Sequence, residues 1–181
     1  MILKGATYRY VGRMDDGARE EQYAAIVIHT NGAKVPADGD LYDWWTKGAQ
    51  AGVGAHIQIP KDGPKWFQYL DTKRYTGHAW DANHWTVGIE NEDDGKPNMP
   101  LSAFQIDTII DIAHQLKVPG KKLKETRSSG VGWHQLYDSW NQSHHGCPGS
   151  VRIKQIEDII IPALAGGEGK EEDVSWLVST M

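Results

Sequence analysis

The run "YAAIVIH" at residues 23–29 decides the fold of this sequence. It is a continuous apolar stretch rich in β-branched residues, which is typical of a central strand that is buried on both faces. The next three residues, "TNG", are a turn signal, so we expect the strand to end there. His29 is therefore predicted to lie at the exit of a rigid strand, with its side chain facing the layer of loops.

Four further segments predict strands around this one. "ATYRYVG" (6–12) alternates between apolar and polar residues. "GAHIQIP" (54–60) and "PKWFQYLD" (64–71) are separated by a turn that contains Asp62 and Gly63, which is typical of a hairpin. "WTVGIENE" (85–92) is another short apolar strand.

The clearest helix signal lies at residues 102–118, "SAFQIDTIIDIAHQLKV". Ser102 followed by Gln105 predicts a capping box at its start. Apolar residues recur through this segment at helical spacing. They are Leu101, Phe104, Ile109, Ile112, Ala113 and Leu116.

Two more helices are predicted. The segment 39–50, "GDLYDWWTKGAQ", indicates a short helix, and a final helix is expected to begin near Pro148 and to run through 151–164. Each is predicted to turn one apolar side inward. For the short helix these residues are Leu41, Trp44 and Trp45, and for the final helix Val151, Ile156, Ile159 and Ile160. Strands alternating with helices indicate an α/β fold.

Composition sets the domain count and excludes some partners. The chain has 181 residues, 39% of them apolar and 24% charged, which is ordinary usage for one globular domain. Beyond Leu164 the sequence changes to glycine and acidic residues, so we predict a domain at 1–164 and a flexible tail or linker at 165–181.

The formal net charge of −5 argues against a nucleic-acid partner, since nucleic-acid-binding proteins usually carry a clustered basic surface. No apolar run has the length of a membrane span, so we expect no membrane partner. The N-terminal "MILKGATYRYVGR" also lacks the pattern of a secretory signal peptide.

A cluster of possible metal ligands lies at residues 132–150, "GWHQLYDSWNQSHHGCPGS". It contains the chain's single cysteine, Cys147, which has no second cysteine for an internal disulfide and is a buried inert thiol, a nucleophile or a metal ligand. A catalytic zinc takes three protein ligands and keeps one position open, and His29, His134 and Cys147 would supply three. The spacing of His134 and Cys147 is wider than in structural zinc sites, so the residues alone leave open both a metal site and surface histidines near a buried thiol.

Five fragments of the sequence, taken in order, resemble the zinc-dependent N-acetylmuramoyl-L-alanine amidases. They are "AAIVIHTNG", "GAHIQIPKDGPKWFQYLD", "TGHAW", "WTVGIENE" and "GWHQ…HHGCPG". This superfamily includes phage lysozymes of the amidase type and the peptidoglycan recognition proteins, and the resemblance spans about residues 23–164. It implies a single α/β domain with a central mixed sheet flanked by helices, a Zn²⁺ cofactor, and hydrolysis of the amide between N-acetylmuramic acid and L-alanine in peptidoglycan.

The resemblance also assigns the metal ligands. His29 matches the first zinc histidine, His134 in "GWH" the second, and Cys147 in "GCPG" the cysteine ligand of the phage-lysozyme branch. That branch has a catalytic lysine two positions before the cysteine. His145 stands there in this chain, and we expect it to stabilise the developing oxyanion. His144 is expected to be its solvent-facing neighbour, although the two could exchange roles.

The expected general base differs from that of the phage-lysozyme branch. The branch places a catalytic tyrosine before the hairpin histidine, and this chain has Ala55 there. Glu90 matches a glutamate that other amidases use near the attacking water, so it is predicted as the catalytic base. A strand-end carboxylate facing solvent is the other interpretation of Glu90, and Glu92, expected on the same face, is the substitute candidate.

The remaining motif residues are predicted to bind substrate. His78 and Trp80 in "TGHAW" are expected to line the groove, and His56 in "GAHIQI" matches another recurrent family position, although a histidine on an alternating strand is more often packed. Other tryptophans near the motifs could stack against sugar rings. They are Trp44, Trp45 and Trp133.

Three functions stay open at this point. The first is a phage endolysin, acting as a monomer and held in the host cytoplasm until it is released to the cell wall. The second is a non-catalytic peptidoglycan-binding module that has lost zinc. The third is a thiol hydrolase with Cys147 as nucleophile and His134 as base.

Overall fold

A six-stranded mixed β-sheet forms the centre of the protein, with the strand order β1-β4-β3-β5-β2-β6. The computed structural model describes residues 1–19, 24–32, 35–36, 39–48, 51–96 and 98–166. The strands are β1 (Ala6–Tyr8), β2 (Ala25–Thr30), β3 (Ile57–Ile59), β4 (Trp66–Gln68), β5 (Val87–Asn91) and β6 (Gly130–Trp133).

Strand β2 lies inside the sheet, as its apolar run predicts. It pairs in parallel with β5 on one side and β6 on the other, and its residues 25–28 are at most 1% exposed. Strand β3 pairs in parallel with β5 and antiparallel with β4, which confirms the predicted hairpin. In this register, Glu90 of β5 is the partner of both His29 on β2 and Gln58 on β3.

Two long helical segments cover one face of the sheet. Helix α1 (Ala103–Gln115) begins at the predicted capping box of Ser102 and Gln105. The C-terminal helix consists of α2 (Ser150–Gln155), a π-helical segment (Ile156–Ile160) and α3 (Ile161–Gly166). These segments bury the isoleucines and valines of the sheet in the main core. Its central members are Ile26, Ile28, Ile57, Ile59, Val87, Ile89, Ile109, Ile112, Ile156, Ile160 and Leu164.

The opposite face of the sheet carries the polar residues. Side chains alternate along a strand, so His29, Gln58 and Glu90 point away from the main core. Short helices and loops cover this face and bury two smaller cores at either side of the polar residues. One contains Met14, Leu41, Trp45, Phe67 and Tyr69, and the other Ala79, Ala82, Trp85, Leu123 and Trp140.

Two predicted inward side chains are wrong. Trp44 is 60% exposed, because Leu41 and Trp45, four residues apart, form the buried side of the short helix and Trp44 lies off that side. Val151 is 39% exposed, because the first turn of the C-terminal helix buries Arg152 instead.

The predicted tail at 165–181 falls mostly on residues 167–181, which lie outside the described residues. Residues 165–166 belong to the end of the C-terminal helix. Tyr23, the first residue of the apolar run at 23–29, also lies outside the described residues. None of the helices described is both long and apolar enough to cross a bilayer.

Candidate active site and metal centre

Three side chains that the sequence suggests as zinc ligands lie together at one edge of the sheet. A donor atom from each of His29, His134 and Cys147 lies within 4.8 Å of the other two. His29 is next to last in β2, and His134 follows the neighbouring strand β6 directly. Because β2 and β6 are parallel, their carboxyl ends meet at the same edge, which brings the two imidazole centroids to 4.7 Å.

Cys147 reaches this edge from the loop before the C-terminal helix. Its Sγ lies 3.8 Å from Nδ1 of His29 and accepts a hydrogen bond of 3.1 Å from the backbone N–H of Thr30. Burial, followed by the nearby charge of Glu90, raises the pKa of the thiol. A nucleophilic cysteine needs a lowered pKa, so this environment argues against the thiol hydrolase. A buried inert thiol and a metal ligand both remain compatible with it, and the two histidines next to Cys147 favour the metal ligand.

The donor set fits zinc. Two imidazole nitrogens and one thiolate sulfur are ligands that Zn²⁺ prefers, and tetrahedral ligands at the usual bond lengths lie about 3.6 Å apart. The separation of 3.8 Å between Cys147 and His29 is close to that value. Burial lowers the pKa of His29 well below its usual value. Burial, with a smaller contribution from the charge of His145, lowers the pKa of His134 to about 4. Both rings are therefore neutral at neutral pH, which is the form that binds metal.

His78, which was predicted to bind substrate, is half-buried and lies next to His29. Its Nδ1 is 3.1 Å from Nε2 of His29, and its Nε2 is 3.3 Å from Oγ1 of Thr86. Gly88 makes room for this ring, since a Cβ at Gly88 would lie 2.7 Å from Cγ of His78. His78 thus fixes the orientation of His29 and leaves Nδ1 of His29 to face Cys147.

His56 is placed differently from its prediction as a substrate-binding residue. It is 0% exposed, its Nδ1 accepts from the N–H of Gly88 at 3.1 Å, and its Nε2 lies 3.0 Å from the carbonyl oxygen of Arg74. Burial lowers its pKa to about 4. Both ring nitrogens are used inside the protein, so His56 packs the layer under the site and does not face the substrate side.

Glu90 stands beside the donor cluster. It is the cross-strand partner of His29 in β5, so the two side chains share a face of the sheet. Burial, reinforced by the charge of Asp93 and opposed by that of Arg152, raises the pKa of Glu90 to about 8. A carboxyl group that exchanges a proton near neutral pH next to a metal-binding cluster has the property that a general base requires.

Glu92, the substitute candidate, is engaged elsewhere. Its Oε2 accepts a hydrogen bond of 2.8 Å from the backbone N–H of Lys61, at the end of β3. Its carboxylate therefore holds the hairpin turn, and Glu90 is the acid beside the cluster.

His145 lies at the solvent side of the cluster. It is exposed, its ring centroid is 6.2 Å from that of His134, and its backbone is fixed by two hydrogen bonds with the amide of Asn141. His144 is also exposed and has a positive φ of 52°. The imidazole of His145 is thus close to the donors and free to meet a substrate.

The tryptophans separate into two groups. Trp45 and Trp133 are 8% and 4% exposed, so they pack the protein and are not available for the predicted stacking on sugars. Trp44 and Trp80 are 60% and 50% exposed. Trp80 also has a φ of 43°, a left-handed conformation that costs a non-glycine residue about 1 kcal/mol or more. The ring of Trp80 is thus half-exposed at a position two residues after His78.

Sequence reasoning missed Arg152, which stabilises the edge that carries the ligands. This side chain is 1% exposed and donates hydrogen bonds to Oγ1 of Thr30 at 3.1 Å and to the carbonyl oxygens of Asn91 and Glu92 at 3.1 and 2.7 Å. It thereby joins the C-terminal helix to the ends of β2 and β5. The sequence signal for this role was an arginine next to Val151 in the predicted final helix.

Comparison with known proteins agrees with this arrangement. Residues 19–150 match the family model described as N-acetylmuramoyl-L-alanine amidase. A search of curated protein sequences found no match.

Solved structures share the fold. The N-acetylmuramoyl-L-alanine amidase LysC from Clostridium intestinale is 16% identical, with a TM-score of 0.62 and coverage of 86% of this chain and 97% of that chain. The catalytic domain of PlyG has the same identity and TM-score, with coverage of 92% and 96%. The hydrolase AmiA from Staphylococcus aureus is 13% identical, with a TM-score of 0.60 and coverage of 90% and 85%.

The family match covers most of the central sheet and all three donor residues. It confirms the family resemblance and the predicted α/β fold with a mixed central sheet. The chain therefore belongs to the N-acetylmuramoyl-L-alanine amidases and is an enzyme that acts on peptidoglycan.

Proposed function

We propose that this protein is a zinc-dependent amidase of the endolysin type, which works as a monomer and lets a bacteriophage open the cell wall of its host. The bond cleaved is the amide between N-acetylmuramic acid and L-alanine. The observation that carries the proposal is the convergence of His29, His134 and Cys147 within 4.8 Å, with the carboxyl of Glu90 beside them. A cysteine as third donor is the feature that resembles the phage-lysozyme branch.

His29, His134 and Cys147 would hold the zinc ion. Zinc in such a site supplies Lewis acidity toward a carbonyl oxygen and lowers the pKa of water. The protein supports this set with the Nδ1 of His78 next to His29 and the N–H of Thr30 on the sulfur of Cys147. Both contacts fix the direction of a donor atom before the metal arrives.

Glu90 would move the proton in this reaction. A carboxylate in its position takes a proton from the attacking water and returns it to the amine of L-alanine as the amide bond breaks. In the metal-free protein, burial raises the pKa of Glu90 to about 8, so this carboxyl takes up a proton more readily than an exposed one.

His145 and Trp80 would contact the substrate. The exposed ring of His145 lies near His134 and can donate an N–H to the oxyanion that develops on the amide carbonyl. Trp80 offers a half-exposed aromatic face beside His78, and such faces stack on sugar rings or peptide bonds.

A non-catalytic peptidoglycan-binding module is the second candidate. It needs the groove but neither the complete donor set nor a carboxyl group with a raised pKa. The complete donor set of His29, His134 and Cys147 within 4.8 Å favours the enzyme, because a binding module would have no use for it.

The test compares zinc content with the release of L-alanine amino termini from purified peptidoglycan. We expect one zinc per chain and new L-alanine termini from the wild type, with loss of both in Cys147→Ser and after chelation, and recovery of the chelated wild type on adding zinc. His114→Ala, at an exposed position of α1, is the matched control for His29→Ala and keeps full activity.

Binding to peptidoglycan without new termini would refute the enzyme and support the binding module. Cleavage that survives chelation but is lost in Cys147→Ser would instead support the thiol nucleophile.

A further inference from the structure

Gln58 is a buried polar residue that the proposed mechanism does not yet use. It lies in the middle of β3, is 0% exposed, and has Glu90 on β5 and Phe67 on β4 as its cross-strand partners. Partners in register point to the same face of a sheet. Gln58, Glu90 and His29 therefore form one row across three neighbouring strands, with Glu90 in the middle.

The amide of Gln58 differs from those of other buried glutamines. Neither its Oε1 nor its Nε2 has a hydrogen-bond partner among the described residues, and the same holds for Oε2 of Glu90. By contrast, Gln68 accepts from the N–H of Leu3 and donates to the carbonyl oxygen of Leu70, each at 2.8 Å. Buried polar groups are nearly always paired, so two neighbouring side chains with unpaired atoms point to a shared partner.

The fold does not require an amide at this position. The residues on either side of Gln58 in β3 are Ile57 and Ile59, and its partner on β4 is the buried Phe67. An apolar side chain of the same length would fill this space without leaving polar atoms unpaired. The presence of glutamine therefore indicates a role in the site rather than in folding.

We propose that Gln58 is a positioning residue for the carboxyl of Glu90, joined to it through one buried water that pairs the unpaired atoms of both side chains. An amide has both a donor and an acceptor. Through the water, the amide can donate to the carboxyl or accept from it, and no proton passes to Gln58. The inference rests on the proposed function, because Glu90 is the carboxyl that the proposed reaction uses.

The test uses Gln58→Met, which keeps the length of the side chain and removes the amide. In the peptidoglycan assay we expect kcat to fall about tenfold, a part of what a general base contributes, with KM unchanged. We expect the melting temperature to stay the same or rise, because the substitution removes two unpaired buried polar atoms. The matched control is Gln68→Met on the opposite face of the sheet, which lowers the melting temperature and leaves the kcat of the folded enzyme unchanged.

The same substitution in a Glu90→Gln background separates positioning from other roles. Gln58→Met should cause no further loss there, because the carboxyl that it positions is gone. The inference is overturned if Gln58→Met keeps full kcat, if kcat and stability fall together as in a structural variant, or if the tenfold loss persists in the Glu90→Gln background.

The wild type in the same assay distinguishes this inference from the proposed function. Absence of new L-alanine termini from the wild type refutes the proposed function and the inference with it. An active wild type with an equally active Gln58→Met variant refutes the inference alone.

Discussion

Substitution of Gly88 by alanine tests whether His78 orients the metal ligand His29. A Cβ at Gly88 would lie 2.7 Å from Cγ, 2.8 Å from Nδ1 and 3.1 Å from Cδ2 of the His78 ring. Carbon atoms in contact normally stay about 3.5 Å or more apart, so the ring must retreat by about 0.8 Å. The bond of 3.1 Å between His29 and His78 would then be lost or badly distorted.

The expected cost has two parts. Overpacking of this kind destabilises a protein by about 1–3 kcal/mol, which corresponds to a fall of roughly 3–10 °C in melting temperature for a chain of this size. Loss of the partner of a ligating histidine lowers metal affinity by about 10–100-fold. We therefore expect Gly88→Ala to unfold earlier without metal and to bind zinc more weakly.

Circular dichroism measures the first effect on the metal-free protein, and competition with a chromophoric chelator measures the second. Gly166→Ala is the matched control, because a Cβ there meets nothing within 4 Å. If Gly88→Ala melts like the control and binds zinc like the wild type, the contact between Gly88 and His78 does not orient His29.

Three further predictions concern single residues. In the metal-free protein, the pKa of Glu90 is raised from 4.5 to about 8, so its contribution is most favourable below pH 4.5 and is lost as the pH rises toward 8. Urea unfolding should show the wild type losing stability relative to Glu90→Gln by up to about 1.4 kcal/mol per pH unit across that window, and parallel profiles would contradict the assignment. Arg152→Met leaves buried carbonyl groups unpaired, so it should lower the free energy of unfolding in urea by about 3 kcal/mol. A loss below about 1 kcal/mol would mean that Arg152 does not stabilise the edge of the sheet. His145→Ala should lower kcat about tenfold or more through loss of an oxyanion donor, and His145→Lys should restore kcat. Equal kcat in the wild type and both variants would show that His145 does not act in the reaction.

Local signals predicted the elements that depend on neighbours in the chain. The capping box of Ser102 and Gln105 starts α1, and the turn at Asp62–Gly63 joins β3 and β4, because each signal acts over a few residues. The apolar run before His29 likewise forms a strand inside the sheet, since only burial on both faces accommodates it.

Burial of single aromatic residues was not predictable in this way. Trp44 and Trp45 are adjacent and identical in type, yet one is 60% exposed and the other 8%. Their difference arises from the side of the short helix that meets Leu41 and the core around Phe67 and Tyr69. Local sequence patterns do not predict that contact, because Phe67 and Tyr69 lie more than twenty positions from Trp45 in the chain.

The sequence by itself determined five of the six strands, the helices and the chemical types available at the carboxyl edge of the sheet, but not strand β6 (Gly130–Trp133), which leads to His134. These follow from periodicity, turn residues and the motifs around His29, His134 and Cys147. Only the tertiary structure decided which side chains surround the ligands. His78 lies next to His29, His56 is buried below, and Gln58 lies beside Glu90. The reason is physical: strand register and the close approach allowed by Gly88 set these contacts, and both depend on residues that meet only when the sheet has formed.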